Sequence, residues 1–231
     1  MLDLQGYGWL LLQGLQMTIL VGICAMIMAI FFGLLGAWGK FSQSKLANGV
    51  ANTYTTVVRG IPELILLLLV YYGIPKLLQD GAAAMGYEIR LDLNPFVAGF
   101  ITIGFIYGAF CTEVLRGAFL SVPRGQLEAA RAIGMSKFLA FRRIQLPLAM
   151  RMALPGLGNV WMVLIKATAL ISLIQLDELL RKAQIAAQAT RQPFTFYFTA
   201  SLMFLGITLV SMIALKRAEK WSRKGVREAV V

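Results

Sequence analysis

The sequence contains no histidine and only two cysteines among its 231 residues. Without imidazole, histidine-based zinc sites and Ser-His or Cys-His nucleophilic catalysis are excluded. Cys24 and Cys111 each stand alone inside an apolar stretch and read as packing residues, with no disulfide and no metal-ligand spacing. No G-x-x-x-x-G-K-[ST] stretch occurs, so the chain does not bind ATP through a P-loop. Charge is scarce as well, at 14% of residues against about 25% in ordinary soluble domains. Acids are the scarcer sign: 11 Asp and Glu stand against 22 Lys and Arg, a net charge of +11.

What fills the space is apolar. Hydrophobic residues make up 58% of the chain, against about 45–50% in soluble domains, more than one core of this length can hide. Apolar runs fall at about 8–38, 62–78, 95–115, 153–176 and 194–215, and about 20 residues of helix cross a hydrocarbon core of about 30 Å. The pattern predicts an all-α membrane protein of one domain, 1–231, with five transmembrane helices at roughly 8–38, 50–78, 95–115, 148–176 and 194–215. The opening MLDLQGYGWLLLQG has no basic n-region and runs into an apolar stretch too long for a cleaved signal, so it reads as the first span.

The cations are not scattered. The N-terminal tail carries Asp3; the first connection, GKFSQSKLANG, carries Lys40 and Lys45; the second, roughly 76–94, sets Lys76 and Arg90 against Asp80, Glu88 and Asp92. The third, 116–151, holds Arg116, Arg124, Arg131, Lys137, Arg142, Arg143 and Arg151 against Glu128 alone. The fourth, around 177–193, is nearly balanced, and the tail from Lys216 has six cations and two acids. Basic and non-basic connections alternate, which places the N-terminus outside and the C-terminus in the cytoplasm. The basicity is thus a topology signal, and nucleic-acid binding is not implied.

The long basic connection contains EAARAIGMSKFLAFRRIQLP, residues 128–147. Leu127, Ala130 and Ile133 recur at helical spacing, with Glu128 near the positive end of the dipole. Gly134 suits the left-handed turn that ends a helix. A second short helix is expected from about Ser136 to Gln145, and Pro147 would reset the backbone on re-entry to the membrane. From the residues alone two readings stand: a compact knob that enters a groove on another protein, or an interfacial segment whose arginines meet anionic lipid head groups.

Four ionisable residues fall within or near the expected spans: Arg59, Glu63, Glu113 and Lys166. Each costs about 2.5–3.5 kcal/mol to insert, so such residues pair or face a cavity. Structural pairing, for example Arg59 with Glu113, is one reading. The other is a solute site at Arg59-Gly60-Ile61-Pro62-Glu63, where Gly60 and Pro62 favour a break in the helix. A half-helix start near the midplane attracts anionic substrate groups. An amino-acid carboxylate would rest there beside Arg59, with Glu63 or Glu113 meeting its ammonium or a cationic side chain. Smaller features favour packing: Gly104 and Gly108 are a small-xxx-small step, Gly33, Gly36 and Gly39 look similar, and Trp9 and Trp221 suit interface belts.

The segment 128–147 resembles the EAA loop of ABC-importer permeases, whose pattern is E-A-A, three residues, G, nine residues, I-x-L-P. Glu128, Ala129, Ala130, Gly134, Ile144, Leu146 and Pro147 match it at every position. VVRGIPELILLLLVYYG (57–73), TEVLRGAFLSVPRGQLEAA (112–130), LPGLGNVWMVLIKATALISLI (154–174) and RQPFTFY (191–197) extend the likeness to the polar amino-acid branch, most of all the histidine, lysine, arginine and ornithine type. The resemblance implies a type I ABC-importer permease fold, with 124–147 as the cytoplasmic loop that docks into an ATPase. It implies a bacterial inner-membrane subunit, N-terminus periplasmic, that carries polar, by resemblance basic, amino acids inward. Implied partners are a second permease, identical or related, two ATPase subunits and a periplasmic binding protein. The chain would hold no cofactor and catalyse nothing, with ATP and Mg on the ATPase. Relatives carry an acidic residue after the lysine at 166 where this chain has Ala167, so a partner permease would supply more of the solute site.

Three rivals stand beside this reading. A permease for glutamine or another polar amino acid would share these motifs. An ion-driven secondary transporter predicts inverted repeats and more spans. A scaffold that only binds partners would leave the four charges without a use.

Overall fold

The computed structural model describes residues 4–222. Asp3 and the tail residues beyond Ser222, including three of the six tail cations, lie outside the described residues. Among the described residues eight helical runs follow in order: α1 Gly8–Phe41, α2 Lys45–Gly60, α3 Glu63–Ala84, α4 Pro95–Leu120, α5 Arg124–Ala132, α6 Lys137–Ile174, α7 Leu179–Thr190 and α8 Pro193–Ser222. Five of them, α1, α3, α4, α6 and α8, are long and apolar enough to cross a membrane.

Small residues decide how these helices meet. On α1 the buried positions Gly22, Ala25, Ala29, Gly33 and Gly36 recur every three or four residues, one stripe of a helix whose opposite face exposes Ile27, Phe31, Leu34 and Trp38. That stripe lies against α4: Gly104 abuts Met28, Gly108 abuts Phe32, Gly33 abuts Cys111 and Gly36 abuts Thr112. Residue numbers rise together, so α1 and α4 run parallel. Gly156 of α6 meets Val114 and Ile171 meets Gly99, so α6 runs antiparallel to α4. Gly158 meets Leu215, and the Trp161 indole N–H donates to Ser211 Oγ at 2.9 Å, so α8 runs antiparallel to α6. α8 therefore runs parallel to α1, and Gly8 and Ser222 fall at opposite ends of the bundle. The glycines read as packing residues in the sequence are packing residues.

Several boundaries differ from expectation. The apolar run read at 62–78 begins its helix at Glu63 and continues to Ala84, whereas the span was expected at 50–78. The residues before it form the separate helix α2, capped by Ser44, whose side chain accepts from Ala47 N. Asn, Thr and Gly make α2 more polar than the crossing helices, and it runs from the Lys40 end of the bundle to Arg59 beside Phe110. The fourth run starts at Lys137 and ends at Ile174, so Pro147 does not reset the backbone. The chain instead widens to a π turn over Phe141–Gln145, and Pro147 follows two residues later. A proline clashes with the carbonyl four residues back, here Arg143, and the wide turn relieves that clash. The same device recurs in α3, where the π turn Leu69–Gly73 precedes Pro75. Finally, much of the connection expected at 177–193 is the helix α7, not an open loop.

Candidate functional site

The expected break in the second span lies at Ile61-Pro62. Ile61 has φ −102° and ψ 136°, Pro62 has φ −56° and ψ 133°, and α3 starts afresh at Glu63. Glu63 Oε1 accepts a hydrogen bond from the Tyr107 hydroxyl at 2.9 Å. Tyr107 is buried and sits at the middle of the 26-residue α4. At about 1.5 Å per residue each end of that helix is about 18–20 Å away, so the break is at mid-depth of the bundle. Arg59, at the end of α2, places its guanidinium 5.1 Å from the centroid of Phe110, one turn along α4 from Tyr107. Arg59, Gly60, Pro62 and Glu63 therefore share one place, with Arg59, Gly60 and Pro62 exposed on the single chain.

Glu113 does not join them. It lies toward the other end of α4, where Lys40 from the end of α1 donates to Oε1 and Arg116 Nε donates to Oε2 at 3.0 Å. The suggested Arg59–Glu113 pair does not form, because Lys40 reaches the carboxylate first from a helix packed alongside. Asn48 Nδ2 donates to Lys40 O at 2.8 Å, so the same knot ties the start of α2 to the end of α1. Lys166 stands in a third place. It lines a cleft of about 430 Å³ between α6 and α8 with Ala169, Ser201, Phe204, Leu205 and Thr208. Among the described residues no carboxylate pairs with it.

The segment 124–147 projects at the end of the bundle that also holds Lys40 and Lys45. Pro123 precedes α5, which starts at Arg124, so Glu128 stands in its second turn and not its first. Ala130 is buried, Leu127 half-buried, and Ile133 is 75% exposed, because the helix has ended at its position. Gly134 has φ +83°; its N–H donates to Arg131 O at 3.0 Å and Met135 N–H to Ala130 O at 3.0 Å, the paired bonds of a Schellman turn. Ser136 then caps α6, its hydroxyl accepting from Leu139 N at 3.3 Å. Glu128, Ala129 and Gly134 are exposed, whereas Ile144 and Leu146 are half-buried where α6 enters the bundle and Pro147 is exposed. Stacking of Phe119 on Phe141, centroids 6.1 Å apart, fixes the base of the segment to α4.

Glu178, which in the sequence reads only as part of a balanced connection, is fully buried. It caps α7, accepting from Leu180 N at 2.9 Å and Arg181 N at 2.8 Å, and it meets the Thr18 hydroxyl of α1. Burial pushes its carboxyl up to about 7, against the opposing pull of those hydrogen bonds. Its cue in the sequence was the position before LLRKAQIAAQAT, a capping acid ahead of an Ala-rich helix.

Comparison with known proteins follows the same outline. The family described as "Binding-protein-dependent transport system inner membrane component" matches residues 10–224. The histidine/lysine/arginine/ornithine transport system permease protein HisQ of Escherichia coli (strain K12) is 43% identical over 226 residues, covering 98% of this chain and 99% of that protein. The nopaline transport system permease protein NocQ of Agrobacterium fabrum is 45% identical over 223 residues, covering 96% of this chain and 94% of that protein. A crystal structure of an amino acid ABC transporter with histidines superposes with a TM-score of 0.81 at 30% identity, covering 95% of this chain and 99% of that one.

Proposed function

From the premise that the chain belongs to the family of binding-protein-dependent transport system inner membrane components, we propose how it carries its solute. It is a multi-pass membrane protein, the permease subunit of an ABC importer for polar or basic amino acids. It is a transport subunit and no enzyme; ATP hydrolysis belongs to a separate ATPase. The observation that carries this reading is the 43% identity to HisQ along 98% of the chain. The cargo proposed is arginine, lysine, histidine or ornithine, delivered by a periplasmic binding protein to a pair of permeases, identical or related, driven by two ATPase subunits. ATP and its Mg ion would sit on those subunits, and this chain would hold no cofactor.

The basic end of the bundle, with Lys40, Lys45 and the α5 segment, would face the cytoplasm of a bacterial inner membrane, and residue 4 the periplasm. Glu128, Ala129, Ala130 and Gly134 would form the surface that docks into the ATPase, with Ile144, Leu146 and Pro147 anchoring it to α6. Closure of the ATPase dimer would push this segment, and through the Phe119–Phe141 stack and the continuous α6 the motion would reach mid-depth. There Arg59 would take the carboxylate of the amino acid, close to the N-terminal start of the 22-residue α3, while Glu63 takes an ammonium or cationic side chain. Glu113, occupied by two cations, acts as a structural tie. Lys166 would line the pathway on the α8 side.

Affinity purification of the tagged chain from its native membrane, beside a Glu128→Lys control, tests the reading. An ATPase that accompanies the wild type and is lost from the control supports it, and any second permease that comes along defines the pair. A wild-type chain that purifies alone and accumulates amino acids in vesicles under an ion gradient overturns it.

A further inference from the structure

Arg59 and Glu63 are four residues apart, the spacing at which opposite charges meet on a continuous helix. The break at Ile61-Pro62 removes that geometry, and the two charges form no ion pair. Each turns to α4 instead. Glu63 accepts from the Tyr107 hydroxyl at 2.9 Å, and Arg59 lies 5.1 Å over the Phe110 ring. Tyr107 and Phe110 are three residues apart, one turn on the same face, with ring centroids 5.6 Å from each other.

Neither partner cancels a charge. A phenol donates one neutral hydrogen bond, and a ring face offers a quadrupole. Opposite charges at low dielectric attract strongly and would collapse onto each other unless something held them apart. Holding them apart keeps one free anion and one free cation side by side, a complement to a zwitterion. We propose that Tyr107 and Phe110 are positioning residues for amino-acid recognition, holding Glu63 and Arg59 apart and unneutralised so that the pair receives an α-amino acid. The inference rests on the proposed solute site at the helix break.

The test is equilibrium dialysis of arginine, and of agmatine (arginine without its carboxylate), against the complete importer in lipid nanodiscs without the binding protein. Tyr107→Phe keeps the ring and removes the hydroxyl. It is expected to weaken arginine binding about five- to tenfold, the net scale of one intramolecular hydrogen bond. In a Glu63→Gln background the same change should add nothing, because Tyr107 acts through Glu63. Phe110→Leu, an independent variant, should weaken arginine and leave agmatine unaffected, since only arginine has the carboxylate that Arg59 takes. If Glu63→Gln weakens arginine binding but Tyr107→Phe does not, or if their effects multiply in the double variant, the positioning role is wrong while the site stands. If Glu63→Gln leaves arginine binding unchanged, the solute site itself is wrong and the positioning role falls with it.

Discussion

The carboxylate of Glu178 lies 3.3 Å from the hydroxyl of Thr18, 160 residues earlier in the chain, and both side chains are fully buried. Thr18 Oγ1 accepts from Leu179 N at 3.1 Å and also lies 3.0 Å from Gly14 O. A hydroxyl has one proton. When Thr18 gives it to Gly14 O, a proton on Glu178 completes the remaining contact, and an ionised carboxylate leaves it unfavourable. The contact joins α7 to α1 beside Gly14, where no side chain separates the two backbones.

Stability should therefore depend on pH through Glu178. Its carboxyl is pushed from an ordinary 4.5 up to about 7, so between those values the folded chain binds a proton that the unfolded chain has released. Stability is highest at the acid end of that window, falls as pH rises through it, and levels off above, by an amount of order 3 kcal/mol. Glu178→Gln should flatten the slope and impose a roughly constant cost of about 1 kcal/mol, since an amide satisfies one fewer N–H of the cap. Thermal unfolding in detergent from pH 5 to pH 8 reads both. An unchanged slope in the variant would assign the pH response elsewhere.

Lys40 has only 8% of its side chain exposed, and Glu113 neutralises it. Glu113→Gln leaves that ammonium buried and unpaired, at a cost of about 3–5 kcal/mol. The variant should assemble poorly, and Lys40→Met in the same chain should restore most of the yield, with arginine selectivity preserved. Recovery of yield together with altered selectivity would return Glu113 to the solute pathway.

The sequence made the apolar runs, the break at Pro62 and the turn at Gly134 legible, because each rests on local chemistry: hydropathy, a restricted φ, a residue free to take φ +83°. It concealed what depends on distant partners. α7 reads as a connection because its first four residues include Arg181 and Lys182, yet Ala183, Ala186 and Ala187 bury it beside α1 and α8. Lys40 reads as a topology charge, and only the parallel packing of α1 on α4 brings it to Glu113. Pro147 reads as a stop because a π turn cannot be inferred from composition.

The α1–α4 contact predicts a sharp difference between two glycines. A Cβ on Gly36 would lie 2.2 Å from Thr112 Oγ1, whereas one on Gly117 meets nothing within 4 Å. Thr112 cannot swing away without breaking its bond to Gly108 O, 2.9 Å long. Gly36→Ala should cost about 1–3 kcal/mol, and Thr112→Ala in the same chain should recover part of it. Gly117→Ala should be neutral or gain up to about 1 kcal/mol from helix propensity. Melting temperatures of the four proteins decide, and equal values for the two alanine variants would disprove the close approach.

Gly134 offers the cleanest probe of coupling, because its surroundings are empty and its backbone is not. A Cβ there has no neighbour within 4 Å, but φ is +83°, so alanine costs about 1–2 kcal/mol of backbone strain and nothing in packing. The strain acts on the turn that sets α5 at its angle to α6, and hence on how Glu128 is presented. Gly134→Ala should leave the melting of the bundle near wild type, because α5 hangs outside it, while lowering ATP-driven uptake per assembled complex severalfold. Asparagine tolerates the left-handed region better than alanine, so Gly134→Asn should retain more uptake than Gly134→Ala despite its larger side chain. That ordering separates backbone geometry from bulk: a steric role would rank the two variants the other way. If both variants transport like the wild type, the shape of this turn does not matter to coupling, and the force from the ATPase must enter through Ile144, Leu146 and Pro147 at the base of α6.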